Sequence, residues 1–118
     1  MRELKFRGLV EQTENRKRYW VYYGVGSKPA LIGARWLVED CQYTGLLDKN
    51  KTEIYDGDLI NIVEDGEPII QIINWHDGGF FRTDAYGADI HVEGYEAMCH
   101  YKVIGNIHEN PELLGKEQ

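Results

Sequence analysis

The chain has 118 residues, of which 42% are hydrophobic and 28% are charged, and its formal net charge is −7. This composition is typical of a globular domain and excludes a disordered chain or a low-complexity fibre. No stretch approaches the roughly 20 apolar residues of a transmembrane helix, and the charged start lacks the apolar segment of a secretory signal. We therefore expect one small cytoplasmic domain without a membrane partner.

The predicted elements of the first half are short strands, because β-branched and aromatic residues are plentiful and helix-period apolar runs are scarce. Alternation of apolar and polar residues indicates a hairpin at the start of the chain. Beyond it, Gly33 disfavours a helix. In order, we predict a strand over 3–10, a turn at 11–15, a strand over 18–23, a loop at 24–29, a strand over 30–38 and a short extended segment over 42–46.

The second half begins after a polar stretch over residues 47–58 and resembles a meander of short strands. Asp65-Gly66 is a strong signal for a two-residue hairpin turn. In order, we predict strands over 59–63, 69–75 and 80–83, a short strand at 90–92, an ambiguous segment over 95–104 merging into a last strand over 101–108, and one helical turn from Asn110. Because closing a barrel removes exposed sheet edges, these strands predict a small SH3-like barrel over residues 54–108.

The charge is divided between the two halves of the chain. Residues 1–53 carry ten Lys/Arg and seven Asp/Glu, whereas residues 54–118 carry three and thirteen. The balance is therefore +3 in a basic, aromatic-rich β lobe (1–53) and −10 in the part that contains an acidic β-barrel lobe (54–114). The opposite charges could hold the two halves together or join neighbouring subunits head to tail. Alternatively, most of these charges could simply face solvent.

Two long segments of the sequence resemble a known protein family. Residues 43–60, YTGLLDKNKTEIYDGDLI, resemble the central motif of the YopX-like proteins of phages and prophages in Gram-positive bacteria. Residues 103–114, VIGNIHENPELL, resemble their C-terminal motif, and the opening MRELKFR is similar to their start. One position departs from the pattern, because Lys51 stands where glycine is commoner, so the turn there can differ in geometry.

The resemblance implies an all-β multisheet fold with mixed sandwich and barrel features over residues 1–118 as a single unit. It also implies a phage or prophage origin, hence the cytoplasm of a bacterial host, and homo-oligomers. It supplies no mechanism and no catalytic residue. From the residues themselves we interpret the motifs as structural: Gly57 allows a tight turn, Asp58 bonds the backbone ahead of it, Gly105 bends the last strand and Asn110 caps the last helical turn.

The histidines and cysteines do not show the spacing of a metal site. The possible ligands are His76, Asp77, His91, Cys99, His100 and His108, and they lack CxxC or HExxH patterns. Cys41 and Cys99 are predicted to be reduced thiols. A Cys–His pair brought together by the fold is the enzymatic alternative. We predict no enzyme activity, no metal and no cofactor.

The best candidate binding segment runs from Arg16 to Tyr23, RKRYWVYY. Cations that hold a phosphate backbone beside rings that stack on bases are the ingredients of a single-stranded nucleic-acid site. The candidate residues are Arg16, Lys17, Arg18, Tyr19 and Trp20. Strand alternation sends Tyr19 and Trp20 to opposite faces, so one set of rings belongs to the core or to a subunit interface.

These observations favour a non-enzymatic phage accessory protein that works by binding, as a homo-oligomer, with a host or phage protein as a further partner. Two alternatives stay open. The segment from Arg16 to Tyr23 could bind single-stranded nucleic acid. The acidic half could instead mimic nucleic acid and inhibit a host DNA-binding protein.

Overall fold

The structure is a computed structural model that describes residues 4–64, 67–76, 79–83 and 89–115. The chain is mostly β-strand, as predicted, and divides into two compact units, Met1–Tyr43 and Thr44–Gln118. The boundary between these units lies ten residues before the one that was predicted from the change in charge after residue 53. The division into lobes 1–53 and 54–114 therefore stays a prediction. In the described part of the chain, no helix is long and apolar enough to cross a membrane.

The first unit is built on the predicted hairpin. Strand β1 (Lys5–Gln12) pairs antiparallel with β2 (Arg18–Gly24) and, on its other side, with β3 (Ala34–Leu47). The prediction of two separate segments at 30–38 and 42–46 was wrong, because β3 is continuous from Ala34 onwards. It passes through the polar Glu39-Asp40 pair by shifting its register against β1, and Asp40 takes a left-handed conformation with φ 57°.

An aromatic group packs on one face of this sheet and fixes the irregular part of β3. The Tyr23 ring lies 6.1 Å from that of Phe6 and 5.7 Å from that of Trp36. The Trp36 ring covers Gly8, where a Cβ atom would approach it to 2.5 Å. The Tyr23 hydroxyl donates to Asp40 Oδ1 (2.7 Å) and accepts from the Asp40 N–H, and burial followed by this bond raises the pKa of Tyr23 to about 12.

The second unit contains a five-stranded antiparallel sheet in the order β8-β7-β6-β5-β9. Its strands are β5 (Asp58–Glu64), β6 (Glu67–His76), β7 (Gly79–Thr83), β8 (Asp89–His91) and β9 (Tyr101–Asn106), while β4 (Glu53–Tyr55) pairs with the end of β3. The predicted strands are confirmed; the turn residues 65, 66, 77 and 78 lie outside the described residues. Because the order is linear among described strands, closure into an SH3-like barrel stays a prediction.

The ambiguous segment 95–104 is a helix followed by a strand. Helix α1 (Gly94–His100) buries Ala97 against the isoleucine-rich core of the sheet. Beneath it, the buried Arg82 donates to Gln71 Oε1 (2.8 Å) and to Glu96 Oε1 (3.3 Å). The Tyr101 hydroxyl donates to the same Glu96 carboxylate, and burial, then this bond, raises the pKa of Tyr101. These bonds attach α1 to the sheet.

The central motif is organised by the buried carboxylate of Asp48, which is 2% exposed. Its Oδ1 accepts the N–H groups of Asn50 (2.8 Å) and Thr52 (2.9 Å), and its Oδ2 accepts the N–H of Val103 in β9 (2.9 Å). Lys51 lies in this loop with φ 65°. The turn therefore keeps the left-handed geometry that suits glycine, although a lysine occupies it.

Asp58 has the structural role that was predicted for it, since its Oδ2 accepts the Tyr55 N–H at 2.7 Å. Gly57 has φ 91°, and a Cβ there would meet His108 Nε2 at 2.9 Å. The register of β5 and β9 shifts beside Gly105, as expected of a bend. The Asn110 side chain differs from the prediction, since its oxygen accepts the Asn106 N–H (3.3 Å) and helix α2 (Glu112–Gly115) begins two residues later.

Replacing Asp48 by Asn should lower the free energy of unfolding by about 2 kcal/mol. The amide keeps one acceptor oxygen but turns an NH₂ donor towards backbone N–H groups that are already buried. Urea unfolding followed by circular dichroism measures the effect. Lys49→Gln, at an exposed position of the same loop, is the control and should change stability by less than about 0.5 kcal/mol. Equal effects of the two substitutions would contradict this account.

Candidate functional site

The sequence-predicted binding residues lie at the tip of the β1–β2 hairpin. Arg16 and Lys17 are in the connecting loop, and Arg18 begins β2. The loop is held by backbone bonds from the Gln12 N–H to the Lys17 carbonyl and from the Arg16 N–H to the Gln12 carbonyl, each 2.9 Å. The Asn15 side chain also accepts the Lys17 N–H. These bonds give the exposed cations a defined backbone.

Arg16 adopts a backbone conformation that is unusual for its residue type. Its φ is 60°, in the left-handed region where an L-residue other than glycine, Asn or Asp carries a penalty of about 1 kcal/mol. Within the described residues, its guanidinium group has no hydrogen-bond or ion-pair partner. The loop therefore holds a solvent-facing cation at a position that would favour glycine on backbone grounds.

Glu11 belongs to the candidate site, although its sequence pattern did not indicate this. It is 5% exposed, and its two oxygens are shared between two arginines. Arg35 donates to Oε1 from Nη2 (2.9 Å) and Nε (3.3 Å), and Arg18 donates to Oε2 from Nε (3.2 Å). The side chains of Arg35 and Arg18 remain 66% and 52% exposed. One buried carboxylate thus orients two guanidinium groups that still face solvent.

A solvent-open depression lies beside this cluster at the hairpin tip. Glu11, Thr13, Arg16 and Arg35 line it, and its volume is about 250 Å³. The Thr13 N–H donates to the Gly33 carbonyl at 2.9 Å, which fixes this side of the depression. The structure therefore brings Arg16 and Arg35 together, although they are far apart in the sequence.

The aromatic part of the predicted site is split, as strand alternation predicts. Tyr19 pairs with Val10 and is 42% exposed, whereas Trp20 pairs with Leu9 on the opposite face of the sheet. The guanidinium carbon of Arg7 lies 4.2 Å from the centre of the Trp20 ring, a cation–π contact. Tyr19 is therefore the more exposed ring, whereas Trp20 lies on the face of the sheet that carries Glu11, Arg18 and Arg35.

The two cysteines considered for chemistry differ in exposure. Cys41 is buried and Cys99 is exposed on α1. The side chains of His76 and Asp77 lie outside the described residues. In the part of the chain that the structure describes, no group of three or more His, Cys, Asp or Glu side chains is arranged to hold a metal ion.

Fold and sequence together define this chain as an all-β protein of two antiparallel sheets. The family described as YopX protein matches residues 5–115, so the chain belongs to the YopX family. A solved structure that it resembles is the crystal structure of protein EF1440 from Enterococcus faecalis. The sequences are 24% identical, the alignment covers 93% of this chain and 97% of that one, and the TM-score is 0.59, which shows a shared fold. No curated protein matches the chain.

The Glu11 cluster should make stability depend on acid pH. Hydrogen bonds from Arg35, and then from Arg18, hold the pKa of Glu11 below its ordinary value of 4.5, against the opposing effect of burial. Because the folded pKa is the lower one, this contribution is complete above pH 4.5 and is lost as the pH falls through the folded pKa. The unfolding temperature of the wild type should therefore fall more steeply than that of Glu11→Gln between about pH 5 and about pH 3.

The control for this measurement is Glu14→Gln, which removes an exposed acid from the same hairpin loop. Differential scanning calorimetry across the acid range should give this variant the wild-type slope. If Glu11→Gln also keeps the wild-type slope, the ion pairs of Glu11 do not contribute to stability.

Proposed function

We propose that this YopX-family chain is a phage or prophage accessory protein of the bacterial cytoplasm that acts by binding and not by catalysis. In this proposal it works as a homo-oligomer whose copies associate head to tail. The observation that carries the proposal is an exposed cationic hairpin tip on a chain whose residues 54–118 have a net charge of −10. A second copy therefore offers the complementary surface.

The charges of the hairpin tip are available for an intermolecular contact. Arg18 and Arg35 are already paired with Glu11, whereas the side chains of Arg16 and Lys17 have no acidic partner among the described residues. Both are exposed. They therefore lose no internal ion pair when a second molecule approaches.

The second unit presents acids to solvent. Glu93 and Glu112 are exposed, while Arg82, one of its few cations, is buried and paired with Glu96. Two copies of the basic tip repel each other, so the tip prefers the acidic unit of the next molecule. Such a contact is heterologous, and it closes into a ring when the rotation between successive copies allows it.

The use of the motif carboxylates supports binding over catalysis. Asp48 and Asp58 are buried and accept backbone N–H groups. Asn106 likewise accepts the N–H groups of His108 and Glu109 through its side-chain oxygen. The polar residues that distinguish the two motifs thus hold loops in place.

Reversing the two free tip charges should dissociate the oligomer. Light scattering after gel filtration should show a lower mass for Arg16→Glu combined with Lys17→Glu than for the wild type. The wild-type mass should also fall as the ionic strength rises from about 0.05 M to about 1 M, because exposed charge pairs are screened.

The control is Lys49→Glu combined with Lys51→Glu, which makes the same change in net charge on an exposed loop of the second unit. This variant should keep the wild-type mass. A monomeric wild type, or an equal loss of mass in both double variants, would count against self-association through the hairpin tip.

A second candidate function is binding of single-stranded nucleic acid, and the exposure of Tyr19, close in sequence to Arg16 and Lys17, favours it. In this case Arg16 and Lys17 contact phosphates and the Tyr19 ring stacks on a base. Trp20 lies on the other face under Arg7, so this version of the site excludes it. The candidate site therefore shrinks to the tip of the hairpin.

Fluorescence anisotropy of a labelled single-stranded oligonucleotide tests this second function. Lys17→Ala should weaken binding and reduce the salt slope by about one. Tyr19→Ala should weaken it by about 1–3 kcal/mol, and Trp20→Phe, the control on the opposite face, should have little effect. Undetectable binding at low salt would dismiss the function.

The acidic half as an inhibitor of a host DNA-binding protein is the remaining alternative from the sequence. Its support is the charge of residues 54–118 alone. Its signature would be competition between this chain and DNA for the same host protein.

A further inference from the structure

The depression at the hairpin tip has the size of a site for one small group. Its volume of about 250 Å³ is below the roughly 300–1,000 Å³ of pockets that enclose whole drug-sized ligands. The residues that line it each end in a polar or charged group: Glu11, Thr13, Arg16 and Arg35. A single polar functional group fits it better than an apolar molecule.

The charges around the depression favour a dianion. Both oxygens of Glu11 are occupied by Arg18 and Arg35, so this carboxylate is directed at its own arginines. The lining carries two guanidinium groups, those of Arg16 and Arg35, and one carboxylate, a balance of one positive charge. Arg18 pairs with Glu11 without lining the depression and adds a second positive charge beside it. Glu14 and Lys17 of the same loop do not line the depression and offset each other in charge. A phosphate monoester carries close to two negative charges at neutral pH.

Two of the residues that line the depression, Arg35 and Thr13, are held before any ligand arrives. Arg35 is held through Nε and Nη2 by Glu11, which leaves its remaining N–H groups for a second oxyanion. Thr13 is fixed through its backbone N–H and supplies a hydroxyl. Because guanidinium groups match phosphate oxygens in a fork geometry, fixing them in advance reduces the entropy lost on binding.

The backbone of Arg16 points to a use for its side chain. Arg16 and Lys51 share the left-handed conformation, with φ 60° and 65°, and glycine would relieve both. Only Arg16 of these two lines the depression. Strained positions are commonly retained where the side chain has a role.

We propose that Arg16, Arg35 and the Thr13 hydroxyl bind a phosphate dianion, with Glu11 as the positioning residue. The ligand class is a phosphate monoester, either a small free ester or the terminal phosphate of a nucleic-acid strand. This site does not depend on the proposed self-association, because its donors lie within one copy.

Titration of the ¹⁵N-labelled full chain with inorganic phosphate tests the site. The arginine Nε–Hε signals of Arg16 and Arg35 should shift in a saturable way. Arg16→Gly should weaken phosphate binding by about tenfold or more and, since it relieves the backbone, raise the unfolding temperature. Lys51→Gly is the matched control: it should also raise the unfolding temperature but leave phosphate binding unchanged.

Further experiments distinguish a strand terminus from a small phosphate ester as the ligand, and phosphate binding from self-association. A 5′-phosphorylated oligonucleotide that binds more tightly than its 5′-hydroxyl counterpart identifies a strand terminus, whereas equal binding of the two with retained phosphate binding identifies a small ester. Lys17→Gln should weaken self-association and spare phosphate binding. Absence of a saturable shift at Arg16 and Arg35, or an equal loss of binding in Arg16→Gly and Lys51→Gly, overturns the site whatever the oligomeric state.

Discussion

The rest of the second unit depends on the backbone hydrogen bonds that the buried carboxylate of Asp48 accepts. Asp48 belongs to the central motif, yet one of its oxygens accepts the N–H of Val103 in the C-terminal motif. A backbone bond from Ile107 to the Gly57 carbonyl joins the same motifs, and the Lys49 N–H donates to the carbonyl of Tyr101, two residues before the C-terminal motif. A buried N–H without an acceptor is costly, so these bonds require the two motifs to be present together. The two motifs that resemble the family are therefore segments, distant in the sequence, that contact each other in the folded chain.

Much of the strand pattern could be predicted because it depends on neighbouring residues. Alternation located β1 and β2, and Asp65-Gly66 placed the pairing of β5 with β6. Helix α1 could not be predicted, since Ala97 is its one buried residue among those described and leaves no apolar stripe. The length of β3 was missed for another reason. The polar Asp40 resembles the end of a strand in the sequence, and its hydrogen bond with the Tyr23 hydroxyl forms only after folding.

In the candidate site, too, the features that depend on neighbouring residues could be predicted, whereas those that depend on the pairing of distant strands could not. The cations from Arg16 to Arg18 were visible in the sequence, and alternation correctly separated Tyr19 from Trp20. The role of Glu11 was not visible, because it arises where β1 places it opposite Arg18 on one side and Arg35 on the other. A signal existed in principle, since an acid in a central strand needs cations on its neighbours, but the pairing of β3 had to be known first.

The continuity of β3 limits how this chain can be dissected. The strand runs from Ala34 to Leu47, and the boundary between the compact units falls inside it, at Tyr43 and Thr44. A truncation there would cut through hydrogen-bonded backbone, with the buried Thr44 hydroxyl, which donates to the Ile54 carbonyl, beside the new terminus. Fragments of either half would lose part of a strand. Affinity tags and fusion partners belong in the exposed loop between β2 and β3, near Val25 to Ala30, where no ladder is interrupted.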